Sequence, residues 1–262
     1  MPLAVVALVG AVMAYGWSGL RLAAGARGPG SPLASRAWWA GTALQGAGFA
    51  LSLISRTTLP LLLVQAAIAG ALAVTAVLEH LSGVRALDRR TGAAVVAVTA
   101  GIAGIAAAVV PGPAHDVRSE VVVLLWALLA FCAAATPVAG RPGLLGALAG
   151  TAFGVGAVAA RVLVGTGLEP VQVVRFWAWP ASLWPVALLI PAGIVLGQWA
   201  LTRGLARGSS VAALGADYLL ATLLPSAVGL LLLGEEFRPG AWPLAVLGGL
   251  AAAWGVRRLL DA

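Results

Sequence analysis

Nine apolar runs of about membrane-spanning length divide this chain, and nothing else in the sequence constrains its fold so strongly. Roughly 20 apolar residues cross the hydrocarbon core of a bilayer. Runs of that kind cover 3–24, 37–55, 59–83, 92–110, 121–139, 143–164, 183–203, 211–234 and 242–256. The gaps hold breakers and charge: Gly28-Pro29-Gly30-Ser31-Pro32, Asp88-Arg89-Arg90, Pro111-Gly112-Pro113 and Gly140-Arg141-Pro142. The runs are continuous rather than alternating. In lipid only helices or closed barrels satisfy the backbone, so continuous runs predict helices. Composition agrees, with 61% hydrophobic and 10% charged residues. A soluble domain is about half apolar and about a quarter charged. The stretch 165–182 breaks the pattern. It carries Glu169, Arg175, Phe176, Trp177 and Trp179, which predicts an interfacial helix in a tryptophan belt rather than a tenth span.

All 16 basic residues are arginine, against nine acidic ones. They fall in the short gaps, where arginine marks the cytoplasmic side of a membrane rather than a nucleic-acid surface. Arg56, Arg118, Arg161, Arg175 and Arg238 share the N-terminal side, and the other 11 share the opposite side. The expectation is a cell-membrane protein with its N-terminus outside and its C-terminus cytoplasmic. No basic segment precedes the first run, as a cleaved signal would require. Cys132 is alone and sits mid-run, as a packing residue does. No metal-type Cys/His spacing, phosphate loop, nucleophile elbow or metalloprotease helix is present. Neither an enzyme nor a cofactor is expected.

Segment six has glycine every fourth residue, Gly146, Gly150 and Gly154. That spacing lays a smooth stripe along one helix face, suited to close helix contact. A repeat is also visible. Gly10, Gly16, Arg21 and Gly25 match Gly150, Gly156, Arg161 and Gly165 at a constant offset. Gln45-Gly46 and Ala50-Leu51 match Gly197-Gln198 and Ala200-Leu201 more loosely. Segments one to four would then repeat as six to nine. The units are 1–110, a linking helix within 111–141, and 142–262. Matching helices lie five spans apart, an odd number, so the copies cross the membrane in opposite senses. Inverted duplication is a common construction of secondary transporters.

The polar residues inside the runs are candidates for a site, because ionisable groups in hydrocarbon are costly. Asp217 lies about two turns into segment eight and must face the bundle interior, where it could bind a cation or carry a coupling proton. In the repeat it falls beside Gln65 or Ala66. Gln45 and Gln198 are nearly equivalent, and as amides they also serve as ordinary helix-to-helix glue. Tyr15, Trp17, Tyr218 and Trp199 could line a cavity. Glu79 is expected to pair at the rim with Arg85 or Arg89, and Glu235 and Glu236 to close segment eight.

Gly234-Glu235, the Gly248-Gly249 helix and the Ala206-x5-Ala212-x-Leu214 approach to segment eight resemble the drug/metabolite transporter superfamily, the EamA-like fold. Trp38-Trp39-x-Gly41, Gly48-Phe49-Ala50 and Leu63-Val64-Gln65 resemble its nine-span NIPA-type magnesium transporter branch. Gly83-Val84-Arg85 stands where that family favours Gly-Glu, and Ala66 stands where it tends to carry proline. The resemblance implies translocation of a small metabolite or cation through a cavity between two halves. Magnesium is the alternative cargo, and it needs one or two carboxylates plus water. A non-transporting membrane scaffold is the other alternative. Lipids and a possible homodimer are the expected partners.

Overall fold

The computed structural model describes residues 2–56, 67–84, 86, 88–110, 119–165, 179–232 and 236–260. Each of the nine runs becomes one helix among the described residues: α1 (Pro2–Arg27), α2 (Arg36–Arg56), α3 (Ala71–Leu81), α4 (Arg89–Ala108), α5 (Ser119–Val138), α6 (Pro142–Gly165), α7 (Leu189–Ala206), α8 (Ser210–Leu232) and α9 (Trp242–Leu260). A short turn, Trp184–Ala187, leads into α7. Five helices are long and apolar enough to cross a membrane: α1, α5, α6, α7 with its lead-in, and α8. The chain is thus an all-α, multi-pass membrane type of protein.

Local chemistry fixes the helix ends. Ser35, Asp88 and Ser209 each accept a hydrogen bond from the backbone N–H three residues on, at 3.3, 2.7 and 3.2 Å. They cap α2, α4 and α8 and satisfy donors the helix cannot. Helix α3 stops at Gly83, whose φ of 68° favours glycine. There Val84 N–H reaches Glu79 O at 2.9 Å and Gly83 N–H reaches His80 O at 3.0 Å, the paired bonds of a Schellman terminus.

Glycine decides which helices touch. A Cβ on Gly146 would overlap the Ala213 carbonyl, one on Gly150 the Asp217 carbonyl, and one on Gly154 would press on Leu224 and Pro225. The stripe therefore seats α6 directly on the backbone of α8. Without a hydrophobic drive between helices in lipid, such close packing supplies much of the association. Helices α4 and α9 do the same through Gly101, Gly248 and Gly255. Helix α1 lies on α2 and α3, and α6 lies on α7 and α8. Leu22, Leu72, Ile102, Leu145, Leu201 and Leu259 belong to one buried cluster drawn from both halves.

The contacts also give direction. Gly25 meets Trp38 and Gly48 meets Tyr15, so α1 and α2 are antiparallel. Gly156 meets Ile190 and Gly197 meets Phe153, so α6 and α7 are antiparallel too. Helix α6 ends and α7 begins at the same end of the bundle. The opposite end gathers Arg27, Arg36, Arg89, Arg90, Arg141, Arg203, Arg207, Arg257 and Arg258.

Two expectations change. The glycines matched in sequence do not face matching helices: Gly10 meets Leu51 of α2 whereas Gly150 meets α8, and Gly16 meets α3 whereas Gly156 meets α7. Glycines chosen for contact with different neighbours cannot set a common register. Glu236 does not end a helix. It sits in a two-residue strand pairing Val109–Val110 with Glu236–Phe237, so its charge lies beyond the α8 terminus. The 165–182 expectation falls mostly outside the described residues.

The glycine contacts make a graded prediction. Gly150→Ala should destabilise the detergent-solubilised protein by about 1–3 kcal/mol, the usual penalty for overpacking. Gly46→Ala, where a Cβ meets nothing within 4 Å, should be neutral or slightly stabilising. Thermal melting followed by size-exclusion chromatography compares the two.

Candidate functional site

Two groups of polar residues lie inside this bundle. The deeper one is built on the α7–α8 hairpin. Asp217 is only 4% exposed, and its Oδ1 is buried with no hydrogen-bond partner. Its backbone carbonyl is the atom Gly150 packs against. Gln198 on α7 also carries a buried, unpartnered group, Nε2. At 1.5 Å per residue, Gln198 lies about 12 Å from the end of α7 and Asp217 about 10 Å from the start of α8. The two therefore sit at similar depth on antiparallel neighbours. Tyr218 is half-buried, and Tyr15 of α1 comes within its electrostatic reach. Above them Pro225 interrupts α8, leaving the Ala221 carbonyl without its helical donor.

Unpartnered buried polar atoms are uncommon and cost about 1–3 kcal/mol each. Here an acceptor or hydroxyl and an amide donor occur on adjoining helices. A small polar molecule, a hydrated cation or a proton could answer them.

The second group closes the arginine-rich end. Glu79, 1% exposed, accepts a hydrogen bond from Ser210 Oγ. That seats a carboxylate at the N-terminus of α8, where the helix dipole favours it. Arg27 donates from Nε to Leu205 O at 3.0 Å, from Nη2 to Gly208 O, and from Nη2 to Ser210 Oγ at 3.1 Å. A guanidinium is thereby held on the last carbonyls of α7, again with the dipole. Arg27 and Glu79 come from the first half, and Ser210 and Gly208 from the second. Together with Val84 and Ser209 they line a cleft of about 180 Å³. Trp38 adds a further link between halves, donating from Nε1 to Thr202 Oγ1 at 3.0 Å.

The sequence candidates divide accordingly. Asp217, Gln198, Tyr218 and Tyr15 face inward. Gln45 is half-buried on α2. Gln65 lies outside the described residues, as do Arg85 and Glu235. Trp17 and Trp199 face outward, at 46% and 41% exposure, and Trp199 lies under Arg203. Both occupy the helix face opposite the packed one, so neither lines the interior. Among the described residues Glu79 bonds a serine across the halves. Sequence reading missed the reach of Arg27, whose partners lie about 180 positions away. Only its place three residues past the first apolar run, beside the turn sequence Gly28-Pro29-Gly30, hinted at a rim role. Among the described residues no three His, Cys, Asp or Glu side chains come together as a metal group.

The chain matches no protein-family model, no curated protein and no solved structure.

The Ser210 link can be tested by stability alone. Ser210→Ala leaves the Glu79 carboxylate buried without its donor and should cost about 1–3 kcal/mol. Ser210→Thr keeps the hydroxyl and should lose little. Thermal unfolding in detergent separates the variants.

Proposed function

We propose that this protein is a secondary transporter of the drug/metabolite type, moving a small metabolite or cation by alternating access between its two halves. The observation that carries the reading is Asp217, a buried carboxylate with one unanswered oxygen at the depth of an equally unanswered Gln198 amide. Intramembrane carboxylates are rare and mark substrate or proton paths. The inward residues Asp217, Gln198 and Tyr218 form the site, with Gln45 and Gln65 as its expected counterparts from the first half.

Helix pairing supports an inverted repeat. Helix α1 holds α2 and α3 as α6 holds α7 and α8, and α4 meets α9 across the middle. Nine alternating helices give nine spans, with α5 as the odd linker that inverts the second copy. That α6 ends where α7 begins supports this parity, since the connection between them starts and finishes at one end. The arginine-rich end is cytoplasmic, which sets the N-terminus outside. In this arrangement the Arg27–Ser210–Glu79 contacts hold the cytoplasmic end together. A magnesium cargo would use Asp217 as its carboxylate and retain several waters.

Purified protein in proteoliposomes, offered Mg²⁺ and a panel of amines and amino acids, should take up or release at least one of them. Asp217→Asn should abolish that flux with unchanged expression and melting. A fully active Asp217→Asn would remove Asp217 from the site, whereas a protein that moves none of these compounds and co-purifies with a stable partner would favour the scaffold reading. Orientation has its own check. In a Cys132→Ala background, a cysteine at Gly30 should react with impermeant reagent only after the cytoplasmic face is opened, and one at Pro113 from outside. The reverse pattern would invert the topology.

A further inference from the structure

The outer face of the second half carries a feature the transport reading does not use. Helices α5 and α7 bound a groove of about 430 Å³, walled by Trp126, Ala130 and Ala133 on one side and Ala192, Val195 and Trp199 on the other. The alanines open the space, and the lining is wholly apolar in residue type. From Ala192 to Trp199 it runs about 10 Å along α7. Trp126, which donates to Pro185 O at 2.9 Å, closes the upper end.

The lower end is cationic. Arg203 follows Trp199 by one helical turn, with its guanidinium carbon 5.9 Å from the Trp199 ring centroid. One amino group donates to Pro137 O at 3.2 Å, while Nε is buried with no hydrogen-bond partner. Arg207, a turn further on, donates to Ala139 O. Both arginines are thus held by α5 carbonyls or the residue just past them. Arg203 stands three residues from the end of α7, about 5 Å along the axis, at the level of the headgroups if α7 spans.

We propose that the α5–α7 groove binds an anionic phospholipid, one acyl chain lying between Trp126 and Trp199 and the phosphate accepting from Arg203. The match is one of charge and polarity together: an apolar channel ending in a fixed, incompletely satisfied guanidinium fits an amphiphile with an acidic head. Basic sites between helices at the cytoplasmic surface recognise such lipids. A second copy of the chain fits less well. A two-fold axis along the membrane normal would bring Arg203 and Arg207 of both copies to one level, and like charges repel. The proposal does not depend on transport.

The test uses the full chain, purified after exposure to equal amounts of phosphatidylglycerol and phosphatidylcholine and examined by native mass spectrometry. Wild type should retain phosphatidylglycerol preferentially. Arg203→Gln should lower that retention about fivefold, the effect of one basic contact at an anionic surface, and Arg203→Lys should keep most of it. Arg257→Gln, at the same end on α9, should change nothing. Ala133→Phe fills the groove and should displace lipid with Arg203 intact. Equal retention of both lipids would overturn the proposal, as would unaltered retention in Arg203→Gln and Ala133→Phe. So would a lipid-free dimer, or inorganic phosphate stabilising the protein as well as phosphatidylglycerol does.

Discussion

The backbone contact between α6 and α8 is the interaction on which the interior depends. Three glycines at four-residue spacing let α6 lie against the carbonyls of Ala213 and Asp217. With a side chain at Gly150 the helices would separate, and the segment of α8 carrying Asp217 would lose its place. In lipid this geometry matters more than in water, because apolar surface gains nothing by leaving one hydrocarbon environment for another. Close fit, hydrogen bonds and helix-end electrostatics must supply the specificity.

Those helix-end terms appear together at the arginine-rich end. Glu79 meets the positive end of α8 and Arg27 the negative end of α7, with Ser210 between them. Each charge is stabilised by a dipole belonging to the other half. The interior lacks this completeness. Asp217 and Gln198 each retain a buried polar atom with no partner, about two turns from the cluster at that end. These two unanswered atoms within the bundle are what the proposed site rests on.

Much of this was legible in the sequence. Apolar run length located the nine helices of the described residues, and Gly146, Gly150 and Gly154 announced a close helix interface, because four-residue spacing lays them on one helix face. Asp217 was identifiable from its apolar surroundings alone. The remainder needed three dimensions. Trp199 and Gln198 are neighbours in sequence but stand about 100° apart around α7, so that Trp199 lines the outer groove while the Gln198 amide is buried. The repeat could not be registered from glycines, since each is placed by its own neighbour. Arg27 and Ser210 lie 183 residues apart, and no local pattern joins them.

The central claim is that the two halves exchange access between the two ends. Paired spin labels in a Cys132→Ala background measure it directly, one pair at Ala34 and Gly140 on the arginine-rich end and another at Leu3 and Leu232 on the other. The account predicts two distance populations for each pair, with the closed population at one end rising as the open population rises at the other when transported substrate is added. A single distance at each end, unmoved by substrate and by Asp217→Asn, would contradict it.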